Sequence, residues 1–140
     1  MRKQQRGFTL IELLVVIAII GLLSTLAVVA LNNARMKSRD AKRVSDVKQI
    51  QTALELYYND VNLYPAAPLG TAIASGGVTY MAAVPTNPAP RTDGSTPCAD
   101  ADYVYAQTAA GASYTLTYCL GGITGGVPAG SHTAYPGGIQ

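Results

Sequence analysis

One acidic residue near the start of the chain lies in an otherwise uncharged run. Glu12 is the only charged residue from Gly7 to Ala34, and most of its neighbours there are apolar. Burying an unpaired ionised side chain in lipid is costly, so a carboxylate in such a run is a functional candidate. The cost would be removed by a free amine on a neighbouring copy, which would exist if the chain were cut between Gly7 and Phe8. The alternative is that the Glu12 carboxylate extends to the lipid headgroups.

Two cysteines, Cys98 and Cys119, could cross-link the C-terminal half of the chain. A disulfide forms and persists outside the cytoplasm, where the basic N-terminus is expected to direct this half. A single pair allows one intrachain connectivity. Because the bridge would close a loop of about 20 residues, it could stabilise a small head by roughly 3 kcal/mol in the chain-entropy model. We therefore predict a structural disulfide.

Three aspartates, Asp93, Asp100 and Asp102, are the candidate metal ligands of the chain. They lie in a proline-rich stretch, and calcium accepts carboxylate and carbonyl oxygens from an irregular backbone. Their spacing does not match an EF-hand loop, so calcium remains only a candidate ligand and no cofactor is expected.

The one histidine, His132, lies in a glycine-flanked tail with no nearby partner. Since no catalytic, phosphate-binding or zinc-binding pattern is visible, the sequence does not indicate an enzyme.

The apolar run that contains Glu12 is long enough to cross a membrane as a helix. From Phe8 to Leu31 a helix would extend about 36 Å, against about 30 Å for the hydrocarbon core. Basic residues before the run should hold the N-terminus in the cytoplasm, so that the rest is translocated. These residues are Arg2, Lys3 and Arg6. The alternative is a secretory signal cleaved after Val28-Val29-Ala30, although such signals have shorter apolar cores.

The helix is predicted to continue beyond the membrane as an amphipathic segment. No proline or glycine occurs between Leu31 and Pro65, and apolar residues recur at steps of three and four, which predicts one buried stripe. The stripe comprises Val44, Val47, Ile50 or Gln51, Leu54, Tyr57 or Tyr58, and Val61. The basic residues from Arg35 to Arg43 could track phosphates, but interspersed acidic residues favour a face toward solvent or headgroups. No direct nucleic-acid binding is expected, because removing the three N-terminal cations takes the net charge from +2 to −1.

The remainder of the chain is predicted to form a small sheet that covers this stripe. Tyr64-Pro65 should end the helix, and residues 78–81 are a short strand or a turn of helix. Residues 103–107 and 113–120 are predicted to form a hairpin. Tyr114, Leu116, Tyr118 and Leu120 share one face of its second strand. Residues 121–140 are glycine-rich and expected to be irregular. The predicted fold class is α+β, a long N-terminal helical spine packed against a small antiparallel sheet.

A longer motif is visible when the residues around Glu12 are taken together. It comprises Arg6-Gly7-Phe8-Thr9-Leu10-Ile11-Glu12 and the apolar run up to Gly21. This motif resembles the N-terminus of type IV prepilins and type II secretion pseudopilins. The resemblance implies cleavage after Gly7 by a prepilin peptidase and methylation of the new terminal residue, Phe8. It also implies that Phe8, Thr9 and Glu12 act in assembly, with Glu12 pairing with a neighbour's terminus. Many family members have a helix-kinking proline where this chain has Val29, so a kink there is not implied.

The end of the predicted helix extends the resemblance. Pilins and major pseudopilins commonly have a tyrosine, an acidic residue and then Tyr-Pro there, as Tyr57, Asp60 and Tyr64-Pro65 do here. Major pseudopilins also carry a calcium-binding loop near an acidic residue followed by Pro-Trp-Gly. Residues 85–90 lack both the acid and the Trp-Gly. We hypothesise that the cysteine pair fixes this loop covalently instead.

These features predict a structural subunit of a type IV pilus-like filament. Its parts would be a leader (1–7), an apolar membrane and assembly helix (8–34), an amphipathic continuation of the spine (35–64) and a β-rich head (65–140). The precursor would cross the inner membrane once, with its N-terminus in the cytoplasm, and the assembled filament would lie outside the cytoplasm or at the cell surface.

The expected partners follow from this prediction. They are identical or related pilin subunits, the prepilin peptidase, the platform protein and ATPase of the assembly machinery, and the membrane before assembly. One alternative is a pseudopilin of a type II secretion or competence system. An alternative from another class is a monomeric membrane-anchored or secreted binding module.

Overall fold

The computed structural model describes residues 7–91 and 102–139, and the chain divides into two compact units, Met1–Arg35 and Met36–Gln140. One helix, α1 (Leu10–Val61), contributes to both units. The described strands of the second unit are β1 (Ile73–Ser75), β2 (Val78–Met81), β3 (Val104–Thr108), β4 (Ser113–Leu120), β5 (Gly130–Tyr135) and β6 (Gly138–Ile139). Their pairing is antiparallel throughout, so the fold is α+β and pilin-like, as predicted.

In the described part of the first unit, residues 7–35, the large apolar side chains are exposed. Its large apolar residues are exposed by between 45% for Val16 and 80% for Phe8. Apolar surface left in water is unfavourable by roughly 25 cal/mol per Å², so this segment requires lipid or another protein around it. By length and composition α1 contains a stretch that could cross a membrane, and none of that stretch is buried.

The part of α1 in the second unit buries one face against the sheet. Val47, Ile50, Ala53 and Leu54 are at most 3% exposed, at the three- and four-residue spacing of one helix face. Val44 and Tyr57 are half-buried beside them, which confirms the predicted stripe. The helix ends at Val61 because Asn62 adopts a left-handed conformation (φ 58°) and its N–H donates to the Tyr58 carbonyl at 2.7 Å.

The head contains a two-stranded sheet, β1-β2, and a four-stranded sheet in the order β3-β4-β5-β6. β3 pairs with β4 from Val104↔Thr117 to Thr108↔Ser113, and a 3-10 turn at Ala109–Gly111 connects them. On β4, Tyr114, Leu116, Tyr118 and Leu120 are at most 3% exposed. The predicted hairpin and its alternation are therefore confirmed, with β3 starting one residue later than expected.

Residues 130–139 form two paired strands, so the prediction of an irregular segment over residues 121–140 was wrong for this part, whereas residues 121–129 form turns and one isolated bridge. β5 pairs with β4 from Leu116↔Ala134 to Leu120↔Gly130, and β6 pairs with β5. Ala134 is fully buried. The physical reason is that the second edge of β4 carries backbone groups that need partners, and β5 supplies them. The glycines of this stretch lie mainly in turns and at strand ends rather than preventing strand formation.

A second difference from prediction concerns the charged residues of α1. Asp40, Arg43 and Asp46 were expected on a face toward solvent or headgroups, yet they are 0%, 0% and 5% exposed. They lie on the same face as the apolar stripe. A charged side chain is buried when it is paired and hydrogen-bonded. Here the partners come from the head, and Asp46 accepts a hydrogen bond from the Tyr103 hydroxyl at 3.0 Å.

Buried tyrosines make the head sensitive to alkali. Burial raises the pKa of Tyr105 and of Tyr114 to about 12, from an ordinary value of 10.0. Burial and a hydrogen bond to Glu55 also raise the pKa of Tyr64. Since these buried tyrosines ionise near pH 10 in the unfolded chain but only at higher pH in the folded chain, the stability that they contribute is fully present below pH 10 and is lost as pH rises from 10 to 12. We expect tyrosinate absorbance and loss of near-ultraviolet circular dichroism to rise together in that interval. Full ionisation at pH 10 with native dichroism would contradict this.

Candidate functional site

The start of α1 is closed by reciprocal hydrogen bonds between Thr9 and Glu12. The Thr9 N–H and hydroxyl donate to Glu12 Oε2 at 2.8 and 2.6 Å. In return, the Glu12 N–H donates to the Thr9 hydroxyl oxygen at 3.3 Å. This is a capping box, with Thr9 as the N-cap and Glu12 as the third helical residue. The pair satisfies N–H groups that have no partner within the helix.

The capping box also orients the Glu12 carboxylate. Both bonds from Thr9 go to Oε2, so Oε1 is available to a further donor. Glu12 is exposed, together with the apolar surface on either side of it. A cation from another molecule could therefore pair with Glu12 without opening the capping box. The structure thus brings two of the predicted assembly residues, Thr9 and Glu12, into contact within one chain.

The predicted processing residues lie immediately before this helix start. Gly7 and Phe8 are exposed and belong to no helix or strand, so the peptide bond between them is accessible to a peptidase. No neighbouring atom lies within 4 Å of where a Cβ on Gly7 would be, so packing among the described residues does not require glycine there. Residues 1–6 of the predicted leader lie outside the described residues. Cleavage after Gly7 and methylation of Phe8 remain predictions.

We expect Thr9→Ala to loosen the first turn of α1, because the N-cap bonds are lost. Amide hydrogen exchange of residues 10–13, measured on the full chain in detergent micelles, should accelerate roughly fivefold. The matched control is Thr25→Ala, since the Thr25 hydroxyl donates to the Leu22 carbonyl inside the helix at 2.8 Å and caps nothing. Unchanged exchange in Thr9→Ala would mean that the capping box does not hold this end.

The second unit contains a buried hydrogen-bond network around Arg43, which the sequence did not predict. Arg43 donates from Nη1 to Asp40 Oδ1 at 2.7 Å and from Nε to Asn87 Oδ1 at 2.8 Å. Its Nη2 donates to the carbonyl oxygens of Pro88 and Pro90 at 3.1 and 2.8 Å. The side chains of Arg43 and Asp40 are 1% and 0% exposed. This network joins α1 to the segment that we call the proline loop, residues 85–91.

The backbone after β4 binds the same aspartate. The N–H groups of Gly121 and Gly122 donate to Asp40 Oδ1 and Oδ2 at 2.9 and 2.8 Å. Three parts of the second unit therefore meet at one buried ion pair. The spacing of Asp40 and Arg43, three residues apart on a helix, is a signal that sequence reasoning could have used. Nothing in the sequence points to Asn87 or to the two glycines.

The predicted disulfide falls partly outside the described residues. Cys119 lies in β4 and is 8% exposed. Cys98 is not among the described residues, so the pairing of the two cysteines remains a prediction. The hypothesis that this pair fixes the proline loop likewise remains a prediction.

The candidate calcium ligands are also only partly described, because Asp93 and Asp100 lie outside residues 7–91 and 102–139. Asp102 is described, and both of its oxygens are engaged. Oδ1 accepts from the Asn87 N–H at 3.0 Å, and Oδ2 pairs with Arg91 at 3.2 Å. Within the described ranges, no group of three or more His, Cys, Asp or Glu side chains is placed to hold a metal ion.

His132 has a different environment from the one predicted. It lies in β5 opposite Tyr118, and its Nε2 is 2.8 Å from the Pro128 carbonyl oxygen. The expectation of a histidine without a partner in an irregular tail was therefore wrong. Its position in a paired strand is explained by the edge of β4 that β5 completes.

The N-terminal region matches a known family model, the prokaryotic N-terminal methylation motif, over residues 2–28. This range contains Gly7, Phe8, Thr9 and Glu12. No solved structure gave a significant match to the chain.

Several curated relatives have the name type II secretion system core protein G. The chain is 43% identical over 67 residues to the protein of Pectobacterium carotovorum subsp. carotovorum, covering 48% of this chain and 43% of the relative. It is 36% identical over 89 residues to that of Vibrio cholerae, covering 64% and 56%. It is 43% identical over 67 residues to that of Escherichia coli, covering 48% and 46%. The chain spans about half the length of the curated relatives it matches. The methylation motif and these relatives support a relationship between this chain and the family of type IV pilins and type II secretion pseudopilins.

Proposed function

We propose that the chain is a structural subunit of a helical filament, made as a membrane-held precursor, cleaved after Gly7 and polymerised through its N-terminal helix. The observation that carries this proposal is the position of Glu12. This carboxylate lies on an exposed apolar helix, four residues after the residue that cleavage would make N-terminal. Each processed subunit would then carry an amine and a carboxylate of opposite charge at short spacing.

The exposed surface of the first unit supports assembly into a bundle. Apolar side chains from Phe8 to Leu31 would be covered first by lipid and then by the same helix of neighbouring subunits. In such an interior, an amine or a carboxylate left alone is strongly unfavourable, whereas the pair is tolerated. The pairing of a Phe8 terminus with the Glu12 of another subunit would therefore select one offset between adjacent helices.

The proposed role is mechanical rather than enzymatic. The partners are identical or related subunits, a prepilin peptidase that cuts after Gly7 and methylates Phe8, and the inner-membrane platform and ATPase that drive assembly. The precursor would cross the inner membrane once, with a cytoplasmic N-terminus. After assembly the head would lie outside the cytoplasm.

Between the two filament types, the names of the relatives favour a type II secretion pseudopilus over a surface pilus. This reverses the order that the sequence alone suggested. Deletion of the gene in its native host separates the two roles. A secretion role predicts that proteins normally exported stay inside the cell envelope, while surface fibres are unchanged. A pilus role predicts the loss of surface fibres with normal export.

The intact mass of the protein from native membranes tests the proposal. We expect a chain that begins at methylated Phe8. A chain that begins at Met1 would indicate a simple membrane anchor, and one that begins near Leu31 would indicate a secretory signal. Either result would support the alternative of a monomeric anchored or secreted binding module and would contradict the filament subunit.

A further inference from the structure

We propose that the guanidinium of Arg43 acts as a built-in cation that organises the proline loop, so that folding of the second unit needs no divalent metal ion. This inference concerns the second unit alone and does not rest on the proposed filament function. It starts from the set of atoms around the guanidinium. They include the Asp40 carboxylate, the Asn87 side-chain carbonyl and the backbone carbonyls of Pro88 and Pro90.

This set of atoms is of the kind that a hard cation binds. A carboxylate, an amide oxygen and backbone carbonyls from an irregular loop are typical calcium ligands in proteins. Here all four oxygens lie within 3.1 Å of a guanidinium nitrogen. The side chain thus occupies the position that an ion would take, and its planar fork satisfies several acceptors at once.

The Asp40 carboxylate already has a counter-charge and hydrogen-bond donors. The Asp40 carboxylate pairs with Arg43 and accepts two further backbone N–H groups, from Gly121 and Gly122. Its oxygens therefore face donors from the helix on one side and from the turn after β4 on the other. A metal ion would have to displace both the guanidinium and these N–H groups to bind Asp40.

A second arginine–aspartate pair holds the C-terminal end of the proline loop. Arg91 pairs with Asp102 at 3.2 Å, and the Asn87 N–H donates to the other oxygen of Asp102 at 3.0 Å. Asn87 therefore links the two arginine–aspartate pairs, because its side-chain oxygen accepts from Arg43 while its N–H donates to Asp102. The Arg91 pair is exposed and contributes little by itself. Of these two ion pairs, the buried Arg43 pair contributes more to holding the loop.

Thermal unfolding of the full chain in detergent micelles tests whether the second unit folds without a metal ion. We expect the wild-type Tm to be the same in excess EDTA and in excess calcium chloride. A drop in Tm in EDTA that calcium reverses would overturn the proposal, because a bound metal would then hold the second unit. This result would leave the filament proposal standing, since that proposal depends on residues of the first unit.

Substitution of Arg43 tests whether its charge and shape both matter. We expect Arg43→Gln to lower the Tm by roughly 10 °C or more, since the buried Asp40 loses its counter-charge. The matched control is Lys42→Gln, the neighbouring exposed cation on the same helix, which should leave the Tm within a few degrees of wild type. If Arg43→Gln does not yield folded protein, Arg43→Lys keeps the charge but not the fork and should have a Tm clearly below that of Lys42→Gln. Equal Tm values for the Arg43 variants and the Lys42 control would overturn the proposal.

Discussion

Glu12→Gln should abolish filament assembly while the chain remains in the membrane and is still cleaved after Gly7. Glutamine keeps the size and the polar atoms of the side chain but removes the negative charge that would neutralise a neighbour's terminal amine. An unpaired charge in the apolar bundle is strongly unfavourable, so we expect the yield of sheared filaments to fall by more than about tenfold. Immunoblots of sheared and membrane fractions measure both pools.

Two variants separate this effect from a general loss of folding. Glu12→Asp keeps the charge on a shorter side chain and should assemble better than Glu12→Gln. Glu55→Gln removes an exposed carboxylate farther along α1, where it accepts a hydrogen bond from Tyr64, and should assemble like wild type. If Glu12→Gln forms filaments at the wild-type level, pairing of the carboxylate with an amine is not the basis of assembly.

Asp40→Asn should destabilise the second unit by about 3–5 kcal/mol, the usual result of removing one member of a buried ion pair. The variant leaves the buried Arg43 without its counter-charge, and the amide NH₂ group would face donors rather than acceptors. Urea unfolding of the full chain in micelles, followed by tyrosine fluorescence, measures the free energy of unfolding of this unit.

The control for Asp40→Asn is Asp60→Asn on the same helix. Asp60 is exposed and accepts a hydrogen bond from the Tyr80 hydroxyl at 2.7 Å, so its loss should matter much less. A double variant that replaces Asp40 and Arg43 with apolar residues should recover part of the lost stability, because no unpaired charge remains. Equal unfolding free energies for Asp40→Asn and Asp60→Asn would show that the buried network does not hold this unit.

The helix and the β3-β4 hairpin were predictable because their signals are local. The absence of proline and glycine between Leu31 and Pro65 predicts a continuous helix, and the alternation around Leu116 predicts which face of β4 is buried. When one face of a helix or strand is buried, apolar residues recur in the sequence at the repeat of that element. The capping box could also have been predicted, because a threonine three residues before a glutamate is its ordinary signature.

What the sequence did not predict depends on contacts between distant residues. β5 contains glycine and small polar residues, and its strand conformation is set by the edge of β4 that it completes. Arg43 looks like one of several exposed cations on α1. Its burial depends on oxygen atoms of Asn87, Pro88 and Pro90, which lie more than 40 residues away in the chain. No local pattern reveals a partner at that distance.

The most direct measurement is a side-chain-resolution reconstruction of the assembled filament. We predict that the terminal nitrogen of Phe8 in one subunit lies within about 4 Å of a Glu12 carboxylate oxygen in another, the ordinary limit for an ion pair. Thr9 should still bind the other oxygen of that carboxylate. A filament in which every Glu12 contacts only its own chain, or in which the subunit still begins at Met1, would contradict assembly through this pair.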